Sequence, residues 1–186
     1  MVKLILASKS PRRRELIEVV SDNVLCVSAE VEEHIPEGMR PQEIPSHLAK
    51  LKAESVAKSY PEDMVIGSDT VVILGDKLLL KPTNETDAFV KLRSLSGKTH
   101  KVITACAIVY RGETHSFYSE TEVEFYELSD EEISEYIKTG EPMDKAGAHG
   151  IQGRGSLFVK GIKGDYFNVV GLPIAELKRK IKDILG

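Results

Sequence analysis

Apolar and polar positions fall along this chain in blocks whose periods assign most of its secondary structure. Leu4-Ile5-Leu6-Ala7 is a short uninterrupted apolar run, the pattern of a buried strand. Ser10-Pro11 then starts a helix, with the serine hydroxyl as N-cap and proline at the first helical position, where its missing N–H costs nothing. Leu16, Ile17 and Val20 share one face of that helix, predicted from about Pro11 to Val20. Asp22-Asn23 turns the chain into a second strand, Val24 to Ser28, so the opening is β-α-β. An acidic segment closed by Pro36 and Gly38 reads as a loop. From Pro41 to Tyr60, the positions of Ile44, Leu48, Leu51, Val56 and Ala57 suit an amphipathic helix, with an interruption expected near Pro45.

Met64 to Leu74 is a near-continuous apolar strand interrupted by Gly67-Ser68-Asp69-Thr70. Gly75-Asp76-Lys77 turns it into Leu78-Leu79-Leu80. Asn84 can cap a helix through Asp87, Val90, Leu92 and Leu95 that Ser96-Gly97 ends. Two long β segments, roughly Thr99 to Tyr110 and Thr114 to Glu127, predict a hairpin across Arg111-Gly112-Glu113. Ser129 and Glu132 form a capping box for a helix to about Thr139. The chain closes with Ser156 to Ile162, a turn at Gly164-Asp165, a strand expected over Tyr166 to Val170, and a helix from Pro173 to Leu185.

Composition narrows the classes. A length of 186 residues permits one domain with an ample core or two small lobes around a cleft. With 41% hydrophobic and 29% charged residues and no repeat or low-complexity tract, the chain should fold without a partner. A formal charge of −4 beside locally clustered arginines argues for a small anionic ligand and against nucleic acid lying across a basic face. No apolar run approaches the roughly 20 residues that span a bilayer. Met1-Val2-Lys3 leads straight into a strand, so the expected location is cytoplasmic, with no membrane partner. Cys26 and Cys106 sit in apolar surroundings without metal-ligand spacing and read as buried free thiols.

Several stretches carry candidate chemistry. Arg12, Arg13 and Arg14 crowd the first turn of a helix, where acidic side chains are normally favoured by roughly 0.3–1 kcal/mol each. An anion offsets that crowding, and free helix N–H groups, the hydroxyls of Ser8 and Ser10 and guanidinium forks suit phosphate; otherwise the arginines fan into solvent or pair with local glutamates. Asp69 is a carboxylate inside an apolar strand, which needs hydrogen bonds, a cation or a metal, and it reads as structural, as a metal ligand or as a general base. The acids Glu30, Glu32, Glu33 and Glu37 are either solvated or supply an oxygen to a hard cation. Lys52 faces solvent or reaches a ligand, and Lys81 ends an apolar run. The glycine-rich segment from Glu141 to Gly155 mixes Asp144, Lys145, His149, Gln152 and Arg154 densely enough to suit a ligand-contacting loop. The P-loop, dinucleotide, nucleophile-elbow and H-E-x-x-H patterns are all absent. What remains is carboxylates plus bases, the toolkit of metal-assisted phosphoryl chemistry on water.

The singled-out residues also occur in the order of a known family. Ala7-Ser8-Lys9-Ser10-Pro11-Arg12-Arg13, Glu32-Glu33, Lys52-Ala53, Gly67-Ser68-Asp69-Thr70, Lys81-Pro82, Leu95-Ser96-Gly97 and Asp144-Lys145-Ala146-Gly147-Ala148-His149-Gly150-Ile151-Gln152-Gly153 together resemble the Maf family over nearly the whole chain. The resemblance implies an α/β fold related to the inosine triphosphatases, a single domain with a long curved mixed sheet, flanking helices and a cleft between two lobes. It also implies nucleotide pyrophosphatase activity and a link to septum formation. Gly-Ile-Gln-Gly after Asp-Lys-Ala-Gly-Ala resembles the dTTP/UTP branch, which releases pyrophosphate and leaves the monophosphate. Position by position, the resemblance makes Asp69 the proton acceptor and Arg12, Thr70 and Gln152 the substrate-selective positions. The phosphate chemistry then calls on Ser8, Arg13, Lys52 and Lys81 for the triphosphate, and on Glu33 with Asp69 for a divalent cation, Mg²⁺ first, Mn²⁺ or Co²⁺ as alternatives. The glutamine amide both donates and accepts, as a uracil or thymine edge requires. Leu80 before Lys81-Pro82 and His149 in place of a common tyrosine depart from the family pattern. The implied partner is a nucleoside triphosphate, with a homodimer left open. Competing classes are a nucleotide-binding regulator of septum formation, a nucleic-acid module using the arginines, and a Maf pyrophosphatase for other or modified nucleotides.

Overall fold

The computed structural model describes residues 2–186. One mixed sheet of seven strands organises the chain, in the order β2-β1-β3-β5-β6-β7, with β4 paired to β3. In sequence the elements are β1 (Leu4–Ala7), α1 (Pro11–Val20), β2 (Val24–Val27), α2 (Ile44–Ala57), β3 (Met64–Leu74), β4 (Lys77–Leu79), α3 (Glu85–Leu95), β5 (Thr99–Tyr110), β6 (Glu113–Phe125), α4 (Asp130–Lys138), β7 (Val159–Lys163), α5 (Tyr166–Val170) and α6 (Ile174–Leu185). Three short 3₁₀ segments lie between α4 and β7. The architecture is the mixed α/β type that the sequence pattern and the family resemblance imply.

Two compact units divide the chain. The first holds the segment ending at Asp69, Thr104–Ser119 and Gly171–Gly186. In it β1 pairs parallel with β2 and with β3, Leu4 opposite both Val24 and Met64, as a β-α-β opening requires. The continuous apolar run of β1 follows from this central position, because all four of its residues are buried. Leu16, Ile17 and Val20 of α1 are buried as their spacing predicts. Helix α6 packs on α1, and its Lys178 Nζ donates to the Val20 carbonyl at 2.7 Å. Arg111 and Gly112 both take positive φ (50° and 81°) in the short link from β5 to β6, the backbone a two-residue hairpin turn demands.

Helix α2 approaches the sheet through small residues. Ala49 and Ala53 pack with Ala105 and Ala107 of β5, and a Cβ on Gly67 would lie 2.2 Å from the Ala49 carbonyl oxygen and 2.7 Å from the Ala53 nitrogen. Both obstructing atoms are backbone, so no side chain can swing aside. Gly67→Ala should therefore destabilise the protein by about 3 kcal/mol or more, read as a lowered denaturant midpoint. An unchanged midpoint would show that the helix can retreat at no cost.

The second unit, Thr70–Ile103 with Glu120–Val170, has its own core. Leu79, Leu92, Leu95, Val123, Phe125, Ile133 and Phe158 are among its buried residues. Strand β4 folds back antiparallel on β3, and β7 pairs antiparallel with β6. Asn84 caps α3 by accepting from the Asp87 N–H, and both halves of the Ser129–Glu132 capping box are present.

Four local expectations need correction. Tyr166–Val170 is a short helix, not a strand. Asp165 accepts from the Phe167 N–H at 2.9 Å, which turns the chain at the helix start. The buried Asn168 carboxamide donates to the Val102 carbonyl at 3.0 Å and to Thr121 Oγ1 at 2.9 Å, long-range bonds that no local pattern encodes. Pro45 does not interrupt α2 but sits in its first turn, where proline removes no helical bond, and the helix starts at Ile44 rather than near Pro41. Cys26 is half-buried rather than buried, although both cysteines are free. Strands β2 and β6 end at Val27 and Phe125, one and two residues early.

Candidate active site

In the first unit, three elements converge on Lys52. Helix α2 supplies the lysine, β3 supplies Asp69 near its middle, and the loop after β2 supplies Glu33. The Lys52 ammonium lies 2.7 Å from Asp69 Oδ1 and 3.0 Å from Glu33 Oε1. Of the readings that spacing leaves open for Lys52, the solvent-facing one is thereby excluded. The acidic loop is sorted as well, since Glu30 lies by the exposed Lys9 at 3.7 Å while Glu33 reaches Lys52.

Asp69 is buried, and that burial pushes its carboxyl above the ordinary aspartate value, against the pull of Lys52 and Arg13. A carboxylate held by a lysine yet tuned upward is a better proton acceptor than an ordinary aspartate. Arg13 stands on the same side of the balance. Burial lowers its pKa below the ordinary arginine value, while the negative charges of Asp69 and Glu33 oppose that shift.

The helix start is built as its residues predict. Ser10 caps α1 by accepting from the Arg13 N–H, and Ser8 Oγ accepts from the Ser10 N–H at 3.2 Å. No acidic residue occupies the first turn. The arginines diverge, however. Arg13 turns inward and donates through Nε to the Gly171 carbonyl at 2.7 Å. Arg12 is half-buried, and Arg14 is exposed with long contacts to the Ser8 carbonyl. Ser8 itself is buried.

Sequence reasoning missed two participants. The Gly171 carbonyl accepts from Arg13 and, at 3.4 Å, from the buried Ser68 hydroxyl, so Gly171 anchors the arginine and Ser68 shares that anchor. Ser68 carried a signal, a hydroxyl next to a strand aspartate, whereas Gly171 carried none. Cys106 Sγ lies 3.9 Å from Ser68 Oγ, and burial pushes its pKa to about 12, so it stays a protonated thiol and is no nucleophile.

Thr70, Lys81 and Gln152 belong to the second unit. Thr70 follows Asp69 on β3 and is half-buried. Lys81, just beyond β4, and Gln152, inside the glycine-rich segment, are both exposed. The Gly147 N–H donates to the Leu80 carbonyl at 3.3 Å, which ties that segment to the chain beside Lys81. His149 is buried and keeps close aromatic company with Phe125, their ring centroids 4.4 Å apart.

Among the described residues, no group of three or more His, Cys, Asp and Glu converges as a metal cage. Two carboxylates do converge, and they meet on a cation, the Lys52 ammonium. That donor set fits a hard divalent ion of the Mg²⁺ kind, which is held by one or two carboxylates while phosphate and water fill the other positions. No helix among the described residues is long and apolar enough to cross a membrane.

Comparison with known proteins gives a consistent picture. Residues 3–184 match the family described as Maf-like protein. A dTTP/UTP pyrophosphatase of Bacillus cereus (strain G9842) is 50% identical over 182 residues, covering 98% of this chain and 95% of that protein. A protein of the same name from Geobacillus sp. (strain WCH70) is 49% identical over 182 residues, 98% of each chain. Among solved structures, a HAM1 protein from Coxiella burnetii aligns at a TM-score of 0.56 and 11% identity over 98% of this chain and 100% of that one, a likeness of fold alone.

Proposed function

The chain belongs to the Maf-like protein family, and from that premise we propose that it is a nucleoside triphosphate pyrophosphatase acting on dTTP and UTP. Water attacks the α-phosphorus, the bond from that phosphorus to the bridging oxygen breaks, and the products are nucleoside monophosphate and pyrophosphate. The observation that carries the proposal is the buried Asp69 paired with Lys52 and, through it, with Glu33.

Asp69 is the group that takes the proton of the attacking water, a role its upward-shifted pKa suits. A divalent cation held by Glu33 and Asp69 would neutralise phosphate oxygens and acidify bound water. Lys52 and Lys81 would supply positive charge to the leaving pyrophosphate. Ser8, Arg12, Arg13 and the N–H groups at the start of α1 receive the triphosphate. The inward anchoring of Arg13 on Gly171 fixes its position at the cost of reach. Thr70 and Gln152 bear on substrate choice, Gln152 by offering a donor and an acceptor to the pyrimidine edge. The compartment that goes with this chemistry is the cytoplasm, where two free thiols persist.

The test is product identification from canonical and methylated triphosphates, with and without Mg²⁺. Monophosphate plus pyrophosphate from dTTP and UTP supports the proposal; diphosphate plus phosphate, or binding without turnover, defeats it. Gln152→Ala should cost about tenfold in kcat/KM for dTTP, the worth of a lost bidentate contact, and far less for a poor substrate such as dATP. An unchanged nucleotide profile would remove Gln152 from base reading.

A further inference from the structure

The segment that carries Gln152 is held by several side chains, and one of those contacts comes from a residue outside every role assigned so far. Glu141 opens the first 3₁₀ segment after α4, where its N–H donates to Thr139 Oγ1 at 3.1 Å. Its carboxylate reaches thirteen positions along the chain, accepting from the Arg154 N–H through both oxygens, Oε2 at 3.1 Å and Oε1 at 3.3 Å. A charged acceptor on a backbone donor is about twice as strong as a neutral pair.

The fit around this contact leaves no slack. Gly153 takes φ +61°, and a Cβ there would come 2.8 Å from Glu141 Oε2 and 3.0 Å from Oε1. A Cβ on Gly150 would strike the Lys145 side chain at 2.7 Å, and one on Gly155 would lie 2.3 Å from the Gly150 carbonyl oxygen. The His149 ring donates through Nε2 to the Gly155 carbonyl at 2.9 Å, since a carbonyl can only accept, and Ser156 Oγ donates to the Gly153 carbonyl at 2.7 Å. The Gly153 carbonyl, the Arg154 N–H and the Gly155 carbonyl are thus each held by a side chain, while the Gln152 residue beside them stands exposed.

We propose that Glu141 is a positioning residue for substrate selection, its carboxylate clamping the Arg154 N–H so that Gln152 is presented in one orientation. The proposal rests on the base-reading role given to Gln152 above. Pre-organisation of this kind reduces the ordering cost of binding, so its loss falls on KM.

Steady-state kinetics on the full chain tests it. Glu141→Ala should raise KM for dTTP about five- to tenfold, with kcat within about twofold. Glu141→Gln keeps an acceptor oxygen and should recover most of that loss. Gly153→Ala, whose methyl displaces the same carboxylate, should reproduce the KM increase should Glu141→Ala prove too unstable to assay. The double variant Glu141→Ala/Gln152→Ala should be no worse than Gln152→Ala alone, because a clamp for an absent side chain does nothing. Multiplying losses in the double variant, or an unaltered KM in Glu141→Ala beside an altered profile in Gln152→Ala, overturns the positioning role. A normal nucleotide profile for Gln152→Ala defeats the base-reading role and the clamp with it.

Discussion

Asp69→Asn leaves a folded protein without turnover. The amide is nearly isosteric, carries no charge into a buried site and cannot take a proton from water, so kcat should fall by about 10²–10⁴-fold. Folding should survive because the site penalises the charged form, as the raised Asp69 pKa shows, and because Lys52 keeps Glu33 as a partner when Asp69 is neutralised. Thermal unfolding of the variant should stay within a few degrees of the parent while pyrophosphate release disappears. A variant retaining more than about a tenth of the parent rate would mean that another group accepts the proton. In the parent, kcat/KM should rise with pH as Asp69 ionises, above the ordinary aspartate range, and that limb should vanish in the variant.

Acid unfolds the second unit through two histidines. His100 and His149 are buried, 6.3 Å apart between ring centroids, among Phe125 and Phe158. Neither ring nitrogen of His100 has a hydrogen-bond partner among the described residues. Burial lowers their pKa values from 6.5 to about 4 for His100 and about 3 for His149. The unfolded chain therefore binds these protons more readily than the folded one. The stability is whole above about pH 6.5 and drains away as pH falls through the window down to about 4 and 3. At pH 4.5 each ring costs on the order of 2–3 kcal/mol, and the pair together a sum comparable with the whole stability of an ordinary domain. Asp69 runs the opposite way, since its raised folded pKa adds stability on acidification, but it is one group against two. His100→Phe should shift the acid midpoint downward with little loss at neutral pH, because His100 has no polar partner to forfeit. Circular dichroism against pH decides the matter, and coincident curves for parent and variant would exclude the histidine pair as the cause.

The parts of the fold that could be read from sequence are those encoded locally. Ser10 with Pro11, Asn84 with Asp87 and Ser129 with Glu132 are cap chemistries confined to a few residues, and helices α1, α3 and α4 begin where they say. The apolar run of Met64 to Leu74 gave β3 its full length for the same reason. Tyr166–Val170 failed because its conformation depends on Asn168 reaching residues 102 and 121. The candidate site divides along the same line. Asp69 was conspicuous as a carboxylate in an apolar strand, while spacing could not choose among Glu30, Glu32 and Glu33 or decide where Lys52 points, and the family resemblance had to make those choices. The anchoring of Arg13 by Gly171 spans 158 positions and left no trace in either stretch.

Gly67 matters for more than the closeness of α2. Gly67 and Asp69 are two residues apart on β3 and so face the same side of the sheet, and Ala53 follows Lys52 directly on α2. The contact of backbone with backbone at Gly67 therefore works as a ruler for the 2.7 Å between Lys52 and Asp69. Adding one methyl group there pushes lysine and carboxylate apart, so a change at a residue with no functional group is felt as lost chemistry in whatever fraction of the protein still folds.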